Sequence, residues 1–98
     1  MRTVMAINHR VADWDAWKTA YDSDSVREMQ TAGGVRYQQV LREPSDPNMV
    51  YVTHVFDSRE EADAFAGNPE LKSAMEGAGV DASSMHMMFF DEEEAGEV

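Results

Sequence analysis

Apolar and polar positions along the chain first repeat with a period of two. Between Arg2 and His9 the residues Val4, Met5, Ala6 and Ile7 carry the spacing of a β-strand. The period then lengthens to that of a helix. Asp13 stands where an N-cap belongs, and Trp14, Trp17 and Tyr21 recur at i, i+3 and i+7, one stripe of a helical surface. The stripe runs on through Val26 and Met29, with a weak point at Asp22-Ser23-Asp24-Ser25, whose short polar side chains compete for backbone hydrogen bonds. Gly33 or Gly34 ends the segment as a left-handed C-cap.

Val35 to Arg42 and Met49 to Phe56 read as the second and third strands. Between them, Glu43-Pro44-Ser45-Asp46-Pro47-Asn48 contains two prolines and turn-forming Asp and Asn, which predicts a hairpin closed by a longer loop. Ser58 and Glu61 have capping-box spacing and open a second helix that buries Ala62, Phe65 and Ala66. Gly67 interrupts it. Asn68 and Pro69 then supply a fresh N-cap and first helical position, which predicts a short helix over 69–76 ended by Gly77-Ala78-Gly79. Met85 to Phe90 is the last strand.

The order βαββαβ predicts an α+β, ferredoxin-like plait: one antiparallel four-stranded sheet with its helices on one face. Residues 1–91 make this single domain. Both faces of each strand are apolar, with Val4 and Ala6 opposing Met5 and Ile7, and Val50, Val52 and Phe56 opposing Met49, Tyr51 and Val55. A sheet with one solvated face would alternate more cleanly. The face away from the helices, assigned Met5, Ile7, Tyr51 and Val55, is therefore expected to pack against a second copy in a twofold homodimer.

Charge and composition remove other classes. Asp and Glu number 19 against 8 Lys and Arg, a net charge of −11. The arginines are scattered, so phosphate-backbone binding and a nucleic-acid partner are not expected. Residues 92–98 are mostly acidic and are expected to form a flexible tail. There is no cysteine, which rules out disulfides and thiolate ligands and fits a reducing cytoplasm. The apolar run at the start is too short for a signal-peptide core or a membrane span, so a cytoplasmic location without membrane association is expected.

Asp13-Trp14-Asp15-Ala16-Trp17-Lys18, Asp46-Pro47-Asn48, the run from Phe56 to Phe65, and Asn68-Pro69-Glu70-Leu71-Lys72 together resemble the dimeric α+β barrel superfamily. Within it, they are most similar to the proteins grouped with antibiotic biosynthesis monooxygenases. The resemblance spans residues 2–91. It implies a homodimeric α+β barrel, and it admits cofactor-independent oxygenases or isomerases acting on small aromatic or polyketide-like substrates. It equally admits non-catalytic homodimeric binding modules. Asn8 fits the position near the end of strand one where such enzymes often carry an Asn, whereas Phe56 replaces the Trp common at the end of strand three. Haem-degrading members use a histidine of the second helix, and 58–78 contains none, so haem ligation by that route is not expected.

His9, His54 and His86 lie on three different strands with no local metal-binding spacing, and no metal or other cofactor is expected. His54 is the candidate general base, since imidazole titrates near neutrality and a mid-strand position holds it rigidly. A core histidine bonded within the protein is the alternative. Face parity groups His54 with Asn8, leaving His9 on the other side. The expected site lies between sheet and helices, with His54 and Asn8 as catalytic residues. Phe56, Trp17 and, at the margin, Tyr37 form flat walls for a small apolar or aromatic ligand. Trp14, Trp17 and Tyr21 also fit a plain helical core stripe.

Overall fold

Alternation is cleanest in strand β1 (Thr3–Val11), where Thr3, Met5, Ile7, His9 and Val11 are buried and the residues between them are not. In the computed structural model, which describes residues 1–98, this strand lies inside a sheet of order β2-β3-β1-β4 with every neighbouring pair antiparallel. The remaining strands are β2 (Tyr37–Glu43), β3 (Asp46–Phe56) and β4 (Val80–Asp91). The fold is α+β and ferredoxin-like.

The weak point in the first helical segment is a break. Helix α1 (Trp14–Tyr21) opens with the Asp13 carboxylate accepting the Ala16 N–H. Ser23 then caps a separate helix, α2 (Asp24–Ala32), by accepting the Val26 N–H at 3.4 Å. Asn48, on β3, accepts the Trp14 N–H at 3.1 Å and so ties the start of α1 to the sheet. Gly34 supplies the left-handed residue, with φ +88°. Helix α3 (Arg59–Ala66) is capped by Ser58, which accepts the Glu61 N–H at 3.2 Å. Asn68 caps α4 (Pro69–Gly77). No helix is long and apolar enough to cross a membrane.

The hairpin differs from expectation. Only Pro44 and Ser45 separate β2 from β3, and Glu43 pairs with Asp46 across a register irregularity. Pro47 is tolerated in β3 because pairing with β1 begins only at Met49, so its missing N–H interrupts no bond to that strand.

The face assignment also requires correction. Met5 pairs with His54 and Ile7 with Val52, so odd-numbered residues of β1 share a face with even-numbered residues of β3. Met5 and Ile7 lie under the helices, at 1% and 5% exposure, and not on the open face. That open face carries Val4, Ala6 and Asn8 with Tyr51 and Val55, and its apolar surface extends to Leu41, Met88 and Phe90. A helical crossover separates β1 from β3, so no tight turn sets their register. A shift of one residue exchanges the faces of an entire strand.

Under the helices the core forms two adjoining clusters. One gathers Met5, Met29, Phe56, Ala62, Phe65 and Leu71; the other gathers Ile7, Val11, Trp17, Tyr21, Val50 and Val52. His54 lies on the same inner face, between Val52 and Phe56 along β3.

Candidate functional site

A polar knot is set into this apolar layer. Tyr21 comes from the last turn of α1, Gln30 from α2 and His54 from the middle of β3, and all three are buried. The Gln30 amide nitrogen donates to the Tyr21 hydroxyl at 3.0 Å and lies 3.1 Å from His54 Nε2. The Tyr21 hydroxyl oxygen is 3.2 Å from that same Nε2. Tyr21 donates its proton to Gln38 Oε1 on β2 at 3.0 Å, and the Arg27 guanidinium donates to Gln30 Oε1 at 2.8 Å. Two helices therefore meet at one imidazole edge of β3, and Gln38 of β2 joins through Tyr21.

A cavity of about 60 Å³ adjoins the knot, lined by 16 residues of which 13 are hydrophobic. Trp17, Tyr21, Met29, Phe65, Leu71 and Met75 form much of its wall, with His54, Gln30 and His9 as the polar contributors. His9 is 2% exposed and packs edge-on against Trp17, with ring centroids 5.8 Å apart. The Nδ1 atoms of His9 and His54 are both buried without a hydrogen-bond partner in the protein. Most buried polar atoms are paired, so two unpaired imidazole nitrogens on residues lining one cavity set it apart from ordinary core.

Burial pulls the His54 pKa down to about 4, with Arg27 acting in the same direction, and burial also lowers that of His9. The Tyr21 phenol is pushed upward by burial. At neutral pH the site thus holds neutral imidazoles and a protonated phenol. A neutral imidazole of this acidity is a weak resting base. It is better suited to hydrogen-bonding an oxygen on which charge develops. No cluster of three or more His, Asp or Glu side chains forms that can hold a metal ion.

Of the residues expected at the site, His54 and Trp17 line the cavity. Asn8 lies on the opposite sheet face, opposite Tyr51 and His86, because the register pairs Met5, not an even-numbered residue of β1, with His54. Phe56 is fully buried beneath His54 and Phe65, contributing packing but no cavity wall. Tyr37 also points to the open face, at 65% exposure, with the Arg2 guanidinium over its ring. His9, assigned to the other side, shares the inner face with His54. Gln30 was not anticipated. It had a sequence signature: it follows Val26 by four positions on the stripe that buries Met29, a polar side chain where an apolar one is expected.

No protein-family model matches the sequence, and comparison with curated proteins finds no match. Solved structures share the fold. SnoaB, a cofactor-independent oxygenase from Streptomyces nogalater, superposes with a TM-score of 0.71 at 10% identity, covering 96% of this chain and 95% of its own. A protein from Caulobacter crescentus provisionally described as an antibiotic biosynthesis monooxygenase gives a TM-score of 0.73 at 15% identity, covering 95% and 91%. A dimeric ferredoxin-like protein of unknown function from Jannaschia sp. CCS1 gives 0.64 at 11% identity, covering 93% and 99%. The chain thus shares the ferredoxin-like fold of these proteins.

Proposed function

We propose that the cavity between sheet and helices receives a small aromatic or polyketide-like molecule, and that the protein is a cofactor-independent oxygenase or isomerase acting on it. The observation that carries this reading is the Tyr21–Gln30–His54 knot, a buried polar edge on an otherwise apolar cavity. In this proposal the His54 imidazole hydrogen-bonds a substrate oxygen on which negative charge develops, Tyr21 and Gln30 hold that imidazole in place, and Trp17 and Phe65 flank the ring. SnoaB, described as a cofactor-independent oxygenase, supports the reading through shared fold alone.

A homodimer formed through the open sheet face belongs to the same proposal. Leu41, Met88 and Phe90 are each about half exposed there, and exposed apolar area of this kind favours association. The Jannaschia protein of the same fold is described as dimeric.

A non-catalytic binding module is the second reading, favoured by the cavity volume of about 60 Å³, well below the roughly 300–1,000 Å³ of common ligand pockets. Two measurements separate them. Native mass spectrometry of the purified protein is expected to reveal a bound aromatic compound, and adding that compound to metal-free, flavin-free protein is expected to drive oxygen consumption or isomer formation. Binding without turnover supports the module. Absence of any aromatic ligand, with no quenching of Trp17 fluorescence by candidate compounds, overturns the cavity reading.

A further inference from the structure

We propose that Gln30, held by Arg27, fixes His54 as the tautomer with its proton on Nδ1, so that this imidazole offers a cavity occupant an N–H donor and selects a ligand bearing a carbonyl or phenolate-type oxygen. The ligand half rests on the cavity reading above; the tautomer half does not.

Donor and acceptor chemistry leads there directly. A guanidinium has only donors, so the Gln30 amide atom 2.8 Å from Arg27 Nη1 is the oxygen. The amide nitrogen is then the atom that faces Tyr21 at 3.0 Å and His54 Nε2 at 3.1 Å. An amide nitrogen can only donate, and it carries two hydrogens, one for each neighbour. His54 Nε2 must therefore present its lone pair, which leaves the ring proton on Nδ1.

The Tyr21 hydroxyl agrees with this assignment. Its single proton goes to Gln38 Oε1 at 3.0 Å, and its oxygen accepts from Gln30. If Gln38, an exposed side chain, swings away, that proton turns to His54 Nε2 at 3.2 Å, which again requires the lone pair there. The opposite tautomer sets the N–H of His54 against the N–H of Gln30 inside a buried site and leaves one Gln30 hydrogen unpaired. The Nδ1 proton, in turn, meets no protein acceptor, although His54 lines the cavity and is 4% exposed. A buried N–H without a partner is unfavourable, and an acceptor oxygen on a ligand is its chemical complement.

Gln30 is thus a positioning residue. Arg27, exposed at the surface, keeps its amide the right way round.

The test begins with ¹⁵N-labelled wild-type protein at neutral pH, using two-bond ¹H–¹⁵N correlations of the histidine rings. His54 is expected to show a protonated Nδ1 and an unprotonated Nε2. Gln30→Met is expected to shift the ring toward the Nε2–H form, which then donates to Tyr21. Arg27→Met, a change at an exposed side chain, is expected to give a mixture of both forms and remains informative if Gln30→Met fails to fold.

A wild-type His54 protonated on Nε2 overturns the proposal. Retention of a pure Nδ1–H form in both variants overturns the positioning role. The ligand half is tested by titrating acetophenone against ethylbenzene, which differ by the carbonyl. At least tenfold tighter binding of the ketone is expected in wild type, and loss of that preference in His54→Phe. Equal affinities overturn the ligand half. Binding of neither overturns the cavity reading and the ligand half together, while the spectra alone decide the tautomer.

Discussion

The rings of Tyr21 and His54 stand nearly parallel, 10° apart in plane with centroids separated by 6.4 Å, and their polar atoms meet at 3.2 Å. They are 33 positions apart in sequence. The pair fixes α1 onto the middle of β3. It also places a phenol and an imidazole side by side on the wall of a cavity whose other surfaces are mostly apolar. Phe65 also packs edge-on against the imidazole, with centroids 5.4 Å apart.

The burial of His54 has a measurable consequence for stability. Its pKa falls from 6.5 to about 4 on folding, so the unfolded chain binds a proton that the folded chain refuses in the window between those values. Stability from this group is present in full above pH 6.5 and is lost as pH falls toward 4, to a total on the order of 3 kcal/mol. His9 acts in the same direction. Urea unfolding at pH 7.5 and pH 4.5 is expected to show wild type losing about 2–3 kcal/mol more than His54→Gln. Equal losses in the two proteins would show that His54 is hydrated in the folded state.

Gly33, the C-cap of α2, lies against the Phe65 ring of α3. A Cβ at this position would stand 2.5 Å from Phe65 Cδ1 and 3.2 Å from the Met29 carbonyl oxygen. Phe65 is itself held by Phe56 and His54, so it has little freedom to retreat. Gly33→Ala is expected to destabilise the protein by about 1–3 kcal/mol through overpacking. Gly77→Ala is the control. Nothing lies within 4 Å of a Cβ there, and the change is expected to be neutral or to stabilise by about 0.4–1 kcal/mol. Thermal unfolding of the two variants beside wild type measures the contrast, which disappears if α3 shifts freely.

The open sheet face offers a third test. Leu41 is 48% exposed opposite Tyr51, so Leu41→Asp adds a charge that a monomer tolerates in water. Within a dimer interface the same charge is buried without a partner. Wild type is expected to sediment at twice 11.0 kDa at micromolar concentration, and Leu41→Asp as the monomer with unchanged helical and strand circular dichroism. A wild-type protein that sediments as a monomer removes the dimer from the proposal.

The sequence by itself determined the elements, because each rests on contacts close along the chain. The Trp14, Trp17, Tyr21 stripe, the Ser58 and Asn68 caps, the weak point at 22–25 and the left-handed glycine after α2 are local, and so is the alternation along β1, whereas the full break into two helices at Ser23 came with the structure. The βαββαβ order and the strand order followed from connectivity. Only the tertiary structure decided which residues share a face. β1 and β3 meet through a helical crossover, and their pairing of Met5 with His54 is a long-range choice that local spacing leaves open by one residue. That single residue sent Asn8 to the open face and brought His9 to the cavity. It also set His54 against Gln30 and Tyr21, side chains from separate helices whose hydrogen bonds exist only once both helices have packed on the sheet.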